Sequence, residues 1–204
     1  MREVKQPEVR KAEIVEASKS LFMKKGYLHV TTQDIVDELK ISRGLLYYHF
    51  KSKEDILKYI VETEVVKIEV LLKKITYSNT LSAIEKVKQF IEATIIPASA
   101  DTPENRALQE SIQLQENTFM TDQIYRKMAE TMAHYFCDIL EQGNKEGAFK
   151  VNNPKETSVF LINAYLFTLN SRDFHVYDTE TARKYLSVFH EILEKVLQSK
   201  NRIF

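Results

Sequence analysis

TTQDIVDELKISRGLLYYHF, residues 31–50, reads as two short helices around a tight turn, and the rest of the chain is understood outward from it. Thr31 or Thr32 can cap the first helix by accepting from a free backbone N–H, and Asp34 in the first turn suits the positive end of the helix dipole. Ile35, Val36 and Leu39 fall on its inner face. Ser42 can cap a second helix, in which Leu46 and Phe50, four positions apart, pack back onto the first. Arg43, Leu45, Tyr47, Tyr48 and His49 are left on the outer and flanking faces.

Two helices joined by a turn of about three or four residues lay the second one in the major groove of duplex DNA. Placed there, Arg43 can pair with guanine O6 and N7, and Leu45 can touch a thymine methyl. Tyr47, Tyr48 and His49 carry donors suited to phosphate oxygens. Lys53 stands where the next helix begins, so its ammonium and that helix N-terminus can together hold the DNA backbone. The competing reading is a plain helical hairpin whose Tyr and His residues are half-buried surface.

Continued as LYYHFKSKE over residues 46–54, the stretch closely resembles the DNA-binding domain of the TetR family of bacterial transcriptional repressors, and the resemblance covers about residues 8–60. It implies DNA contact from Thr32, Gln33, Arg43, Gly44, Leu45, Tyr47, Tyr48, His49 and Lys53. It also implies a second helical domain that binds a small molecule and dimerises through its last two long helices. Lys40 departs from the family pattern, which often carries glycine at this turn position, and Leu39 stands where a small residue is common. A non-glycine residue at positive φ costs on the order of 1 kcal/mol, which a packed domain tolerates.

The wider composition accommodates this. The chain has 204 residues and is 44% hydrophobic, enough to bury a core in one large or two small domains. Cys137 is the single cysteine, so neither an intrachain disulfide nor a cysteine-rich zinc framework can form. Met1 to Lys11 is charged, and no run of about 18 uncharged apolar residues occurs. A soluble, cytoplasmic protein without membrane contact is expected. Formal net charge is zero, but residues 1–60 hold twelve basic and nine acidic side chains, so the basic excess sits at the motif end.

Glycine and proline are scarce, four each, and apolar residues recur at spacings of three and four throughout, which predicts an all-α fold. A first helix spans about 8–25 and ends at Gly26. An N-terminal helix-turn-helix domain is expected over 1–52 and a helical effector-binding and dimerisation domain over 53–204, with a linking helix over about 53–75. Further helices are expected over about 81–96, 104–117, 121–142, 154–170 and 179–199, with a turn supplied by Gly143 to Asn153.

The 154–170 segment is apolar nearly all round, which is hard to reconcile with the surface helix of a monomer. Ser158, Leu161, Ala164 and Tyr165 on it, with Val188, Phe189, Ile192 and Val196 on the last helix, are the expected dimer interface. The alternative is that both helices complete an intramolecular core. Candidate effector-binding residues are Phe90, Gln109, Gln113, Met128, Met132, Tyr135, Asn163 and Phe167, each also explicable as core or as a polar group satisfied by backbone. No positive cluster dominates among them, so the effector is expected to be largely apolar.

No glycine-rich phosphate loop, Gly-x-Ser-x-Gly elbow or His-Glu-x-x-His helix is present, and the five histidines lack metal-ligand spacing. Neither catalysis, a cofactor nor a metal is expected. The reading is a ligand-responsive regulator, most readily a repressor, that binds palindromic double-stranded operator DNA as a homodimer and is released by a small-molecule effector. Two alternatives remain: a protein-binding coregulator of the same fold, and a helical small-molecule binder or enzyme with a vestigial motif.

Overall fold

The computed structural model describes residues 6–94, 117–169 and 179–204, among which there are eight helices and no strand. They are α1 (Pro7–Lys25), α2 (Thr32–Leu39), α3 (Arg43–His49), α4 (Lys53–Thr76), α5 (Ala83–Thr94), α6 (Thr118–Glu146), α7 (Pro154–Leu169) and α8 (Thr179–Leu197). The helix expected over 104–117 lies, except for Asn117, outside the described residues.

Local chemistry accounts for the ends of the first three helices. Pro7 occupies the first turn of α1, where a missing N–H costs nothing, and Gly26 closes it at φ 84°, a backbone conformation open to glycine. Thr31 caps α2 through a reciprocal box: its hydroxyl accepts from the Asp34 N–H at 3.2 Å, and the Asp34 carboxylate accepts from the Thr31 N–H at 2.9 Å. The Thr31 hydroxyl also donates to the Asp34 carboxylate, and that bond, then the one from the Thr31 N–H, with Lys25 adding to them, hold the Asp34 carboxyl well below the usual carboxylate range. Lys40 takes the left-handed conformation at φ 51°, and the Ile41 N–H reaches back to the Val36 carbonyl at 3.1 Å. Ser42 then caps α3 by accepting from the Leu45 N–H at 3.2 Å.

One compact unit comprises residues 6–64 and 117–124 of the described chain. Its core is Ile14, Leu21, Phe22, Val30, Ile35, Leu46, Ile56 and Ile60, all buried, so the inner faces of α1 to α3 and the first half of α4 close on one another. Tyr27, in the α1–α2 connection, is a nexus. Its ring meets Phe22 edge-on at 5.0 Å and stacks on Phe119 at 5.6 Å, its N–H donates to the Asn117 side chain, and its hydroxyl donates to Glu54 at 3.4 Å. Burial, with Glu54 beside it, pushes the Tyr27 phenol up to about 12, so it remains a donor at neutral pH.

The second unit comprises residues 65–94, 125–169 and 179–204 of the described chain. Phe90 and Phe136 pack at 5.1 Å in its core, and Tyr165 stacks on Phe189 at 4.8 Å to join α7 to α8. Lys86 is buried, yet its ammonium donates to the Thr76 carbonyl at 2.6 Å and to Gln142 Oε1 at 2.7 Å, so it serves the open end of α4. Burial draws its pKa below the ordinary lysine value, with Glu146 opposing. The turn expected from Gly143 onward starts instead after Glu146. Gly143 is helical, and it must be glycine because the Phe149 ring fills its side-chain space: a Cβ there would lie 1.9 Å from Phe149 Cδ2.

Candidate nucleic-acid interface

Leu46 and Phe50 are buried, so α3 turns the opposite face outward, as the four-residue spacing predicts. On that face Arg43, Gly44, Tyr47 and Tyr48 are exposed, Tyr48 to 74%, while Leu45 and His49 are half-buried and His49 meets the Tyr48 ring edge-on at 5.0 Å. A Cβ built on Gly44 meets nothing within 4 Å, so among the described residues nothing calls for glycine there. A missing side chain on an outward face lets another surface approach the backbone closely.

The start of α2 converges on the same place. The Thr32 hydroxyl lies 3.4 Å from the Tyr47 hydroxyl. Gln33 accepts from Arg43 Nε at 2.6 Å and donates from its amide nitrogen to Asp37 Oδ1 at 2.6 Å. Thr32, Gln33, Arg43 and Tyr47 are therefore brought together by direct contact. Asp37 belongs with them but escapes sequence reasoning; its position four residues after Gln33 on one helix is the signal that could have found it.

Lys53 also makes contacts within the chain. Its ammonium donates to the Tyr27 carbonyl at 2.9 Å and lies 4.4 Å from the centre of the Tyr27 ring. An ammonium carries three donors, so this bond and a phosphate contact are compatible.

Of the candidate effector residues that the structure describes, four meet in the core of the second unit. Phe90, Met132 and Tyr135 are buried in the core, with Met128 packed against it and the Tyr135 hydroxyl donating to Glu69 at 3.0 Å. Asn163 and Phe167 are corrections to that set: Phe167 is 79% exposed, and the exposed Asn163 donates to the Val159 carbonyl of its own helix at 2.8 Å. The helical period carries both to the outer side of α7. Gln109 and Gln113 lie outside the described residues.

The dimer-interface set divides in the same way. Ala164, Val188, Ile192 and Val196 are exposed. Ser158, Leu161, Tyr165 and Phe189 are instead buried within the chain, because they lie on the sides of α7 and α8 that face each other and the core; the Ser158 hydroxyl donates to the Pro154 carbonyl at 2.7 Å. Val159, Phe160, Phe167 and Tyr185 join the exposed side in their place. Among the described residues no three His, Cys, Asp or Glu side chains gather as a metal site, and no helix is long and apolar enough to cross a membrane.

Two family models match the chain: bacterial regulatory proteins of the tetR family over residues 14–60, and a tetracyclin repressor-like C-terminal domain over residues 100–192. The HTH-type transcriptional regulator YfiR of Bacillus subtilis is 44% identical over 54 residues, which is 26% of each chain. The HTH-type transcriptional regulator QacR of Staphylococcus aureus is 26% identical over 165 residues, 76% of this chain and 81% of that one. A solved structure of a tetR-family bacterial regulatory protein from Rhodococcus RHA1 is similar with a TM-score of 0.61 at 19% identity, over 97% of this chain and 100% of that chain. That last likeness concerns the fold.

Proposed function

This chain belongs to the TetR family of bacterial transcriptional regulators, a family of DNA-binding regulators and not of enzymes, and from that membership we propose that it is a repressor that reads a palindromic operator as a homodimer. The observation that carries this is the shared outer face of α2 and α3. Arg43, Gly44, Tyr47 and Tyr48 are exposed there with no core to serve, on a helix whose other face is locked down by Leu46 and Phe50.

Arg43 is the base reader on this account, through guanine O6 and N7, and Gly44 lets the α3 backbone approach the groove. Tyr47, Tyr48 and His49 hold phosphates and set register without reading sequence. Two copies double the phosphate contacts of a domain whose basic excess is small. The pairing surface is the exposed apolar side of α7 and α8, where Phe160, Phe167, Val188 and Ile192 face solvent in the single chain. Large apolar side chains clustered on two neighbouring helices mark a surface that a partner covers.

Release by a small, largely apolar effector completes the reading. The effector must favour the DNA-incompetent state by roughly 1 to 3 kcal/mol. Its support is the run of α4, whose first half belongs to the unit carrying α2 and α3 and whose second half belongs to the unit carrying Phe90 and Met132.

Selection from a randomised duplex pool tests the proposal. The expected outcome is enrichment of a palindromic site that binds two copies of the chain per duplex. Enrichment of no sequence, even at low salt, would remove the DNA-reading role and direct attention to a protein partner.

A further inference from the structure

Three side chains on the outer face of α2 and α3 form a hydrogen-bonded chain in which a neutral amide joins an anion to a cation: the Asp37 carboxylate, the Gln33 amide and the Arg43 guanidinium, joined by two contacts of 2.6 Å. Polarity fixes which way the amide points. Its oxygen must face the donor Nε of Arg43, and its nitrogen must face the acceptor-only carboxylate of Asp37; flipped, it would set two donors together at one end and two acceptors at the other. Asp37 therefore holds Gln33 in the one orientation that can grip Arg43.

The grip falls on Nε, which leaves both terminal nitrogens of the guanidinium for another ligand. Those two nitrogens, presented end-on, are a pair that meets guanine O6 and N7 in a bidentate contact. A free arginine must freeze a long side chain to make that contact, and one already held by Nε has less freedom to lose. Asp37 is also an acid on a face proposed to meet a polyanion, where an idle carboxylate would oppose binding.

We infer that Gln33 and Asp37 are positioning residues for Arg43, so that discrimination at the base pair Arg43 reads is set by all three. This rests on the DNA-reading role proposed above, and it assigns Gln33 to act through Arg43 and not on a base of its own.

The test uses the intact chain on its selected duplex and on duplexes changed at one base pair at a time. Arg43→Ala first identifies the base pair that Arg43 reads. Gln33→Ala and Asp37→Ala are then expected to reduce preference at that same base pair by about fivefold or more, with preferences elsewhere kept. The paired exchange Gln33→Glu with Asp37→Asn keeps an acceptor for Nε and reverses donor and acceptor at the second bond. It is expected to recover preference to within about threefold of the native chain. The inference is overturned if Gln33→Ala relaxes a different base pair, if Asp37→Ala merely tightens binding to every duplex alike as a deleted surface charge would, or if the paired exchange discriminates no better than Gln33→Ala. Failure of the DNA-reading role looks different: the native chain then selects no site, or Arg43→Ala leaves every base preference intact, and the inference falls with it.

Discussion

The side chain of Asn117 accepts a hydrogen bond from the Tyr27 backbone N–H at 3.2 Å across 90 residues of sequence, and donates to the Met23 carbonyl at 3.3 Å. One buried amide thus satisfies both sides of the α1–α2 connection, and Phe119, at the start of α6, stacks on the ring of the same tyrosine. Asn117→Leu keeps the volume but takes the acceptor from the buried Tyr27 N–H and a donor from the half-buried Met23 carbonyl. It is expected to lower the unfolding free energy by about 2 to 4 kcal/mol in urea titrations. A change below about 0.5 kcal/mol would show that water takes over both bonds.

Lys40 sits at φ 51°, where a side chain carries a conformational cost that glycine avoids. Lys40→Gly is expected to stabilise the chain by about 1 kcal/mol, raising Tm by about 2 to 4 °C. Calorimetry checks this, and a lowered Tm would mean that the lysine side chain contributes more than its backbone strain costs.

Asp34 gives the sign of an acid-side pH dependence. Its carboxyl is held below the ordinary value of 3.8 by the bonds from Thr31 and then by Lys25. The folded state therefore favours the ionised form. The resulting stability is present in full above the unfolded pKa and is lost as pH falls through 3.8 toward the lower folded value. Asp34→Asn should be less stable than the native chain at about pH 7, and the difference should shrink toward about pH 3. A gap that stays constant with pH would mean that the cap is a matter of shape alone.

The exposed side of α7 and α8 predicts self-association. The double variant Phe160→Glu, Ile192→Glu places charge on that surface without touching the core that Tyr165 and Phe189 build. Sedimentation should show a dimer become a monomer, with operator affinity falling by about tenfold or more. A variant that stays dimeric would move the interface elsewhere on the chain.

What was legible from sequence follows the range of the interaction. The caps at Thr31 and Ser42 and the inward Leu46 and Phe50 depend on residues within a few positions, and spacing alone exposes them, whereas the strained Lys40 was exposed by resemblance to a family that often carries glycine there. The outward and inward sides of α7 were not separable, because that helix is apolar nearly all round: Ser158, Leu161 and Tyr165 face in, while Phe160, Ala164 and Phe167 face out. Periodicity carries no direction when nearly every side is apolar. Asn117 was hidden for another reason, since its partners lie some 90 residues away. Asp37 lay in plain view but reads as ordinary helix surface until the Gln33 to Arg43 contact gives it a purpose.

The most direct measurement of the central claim is the affinity of Arg43→Ala and Tyr47→Phe, beside the native chain, for the selected palindrome and for every single-base-pair change in it. Arg43→Ala should cost about 1 to 3 kcal/mol on the selected site and relax one base pair in each half-site, while Tyr47→Phe should weaken binding to all duplexes nearly alike. If Arg43→Ala leaves base preference unchanged, or weakens every duplex equally, α3 is not the reader of the operator and the account fails at its centre.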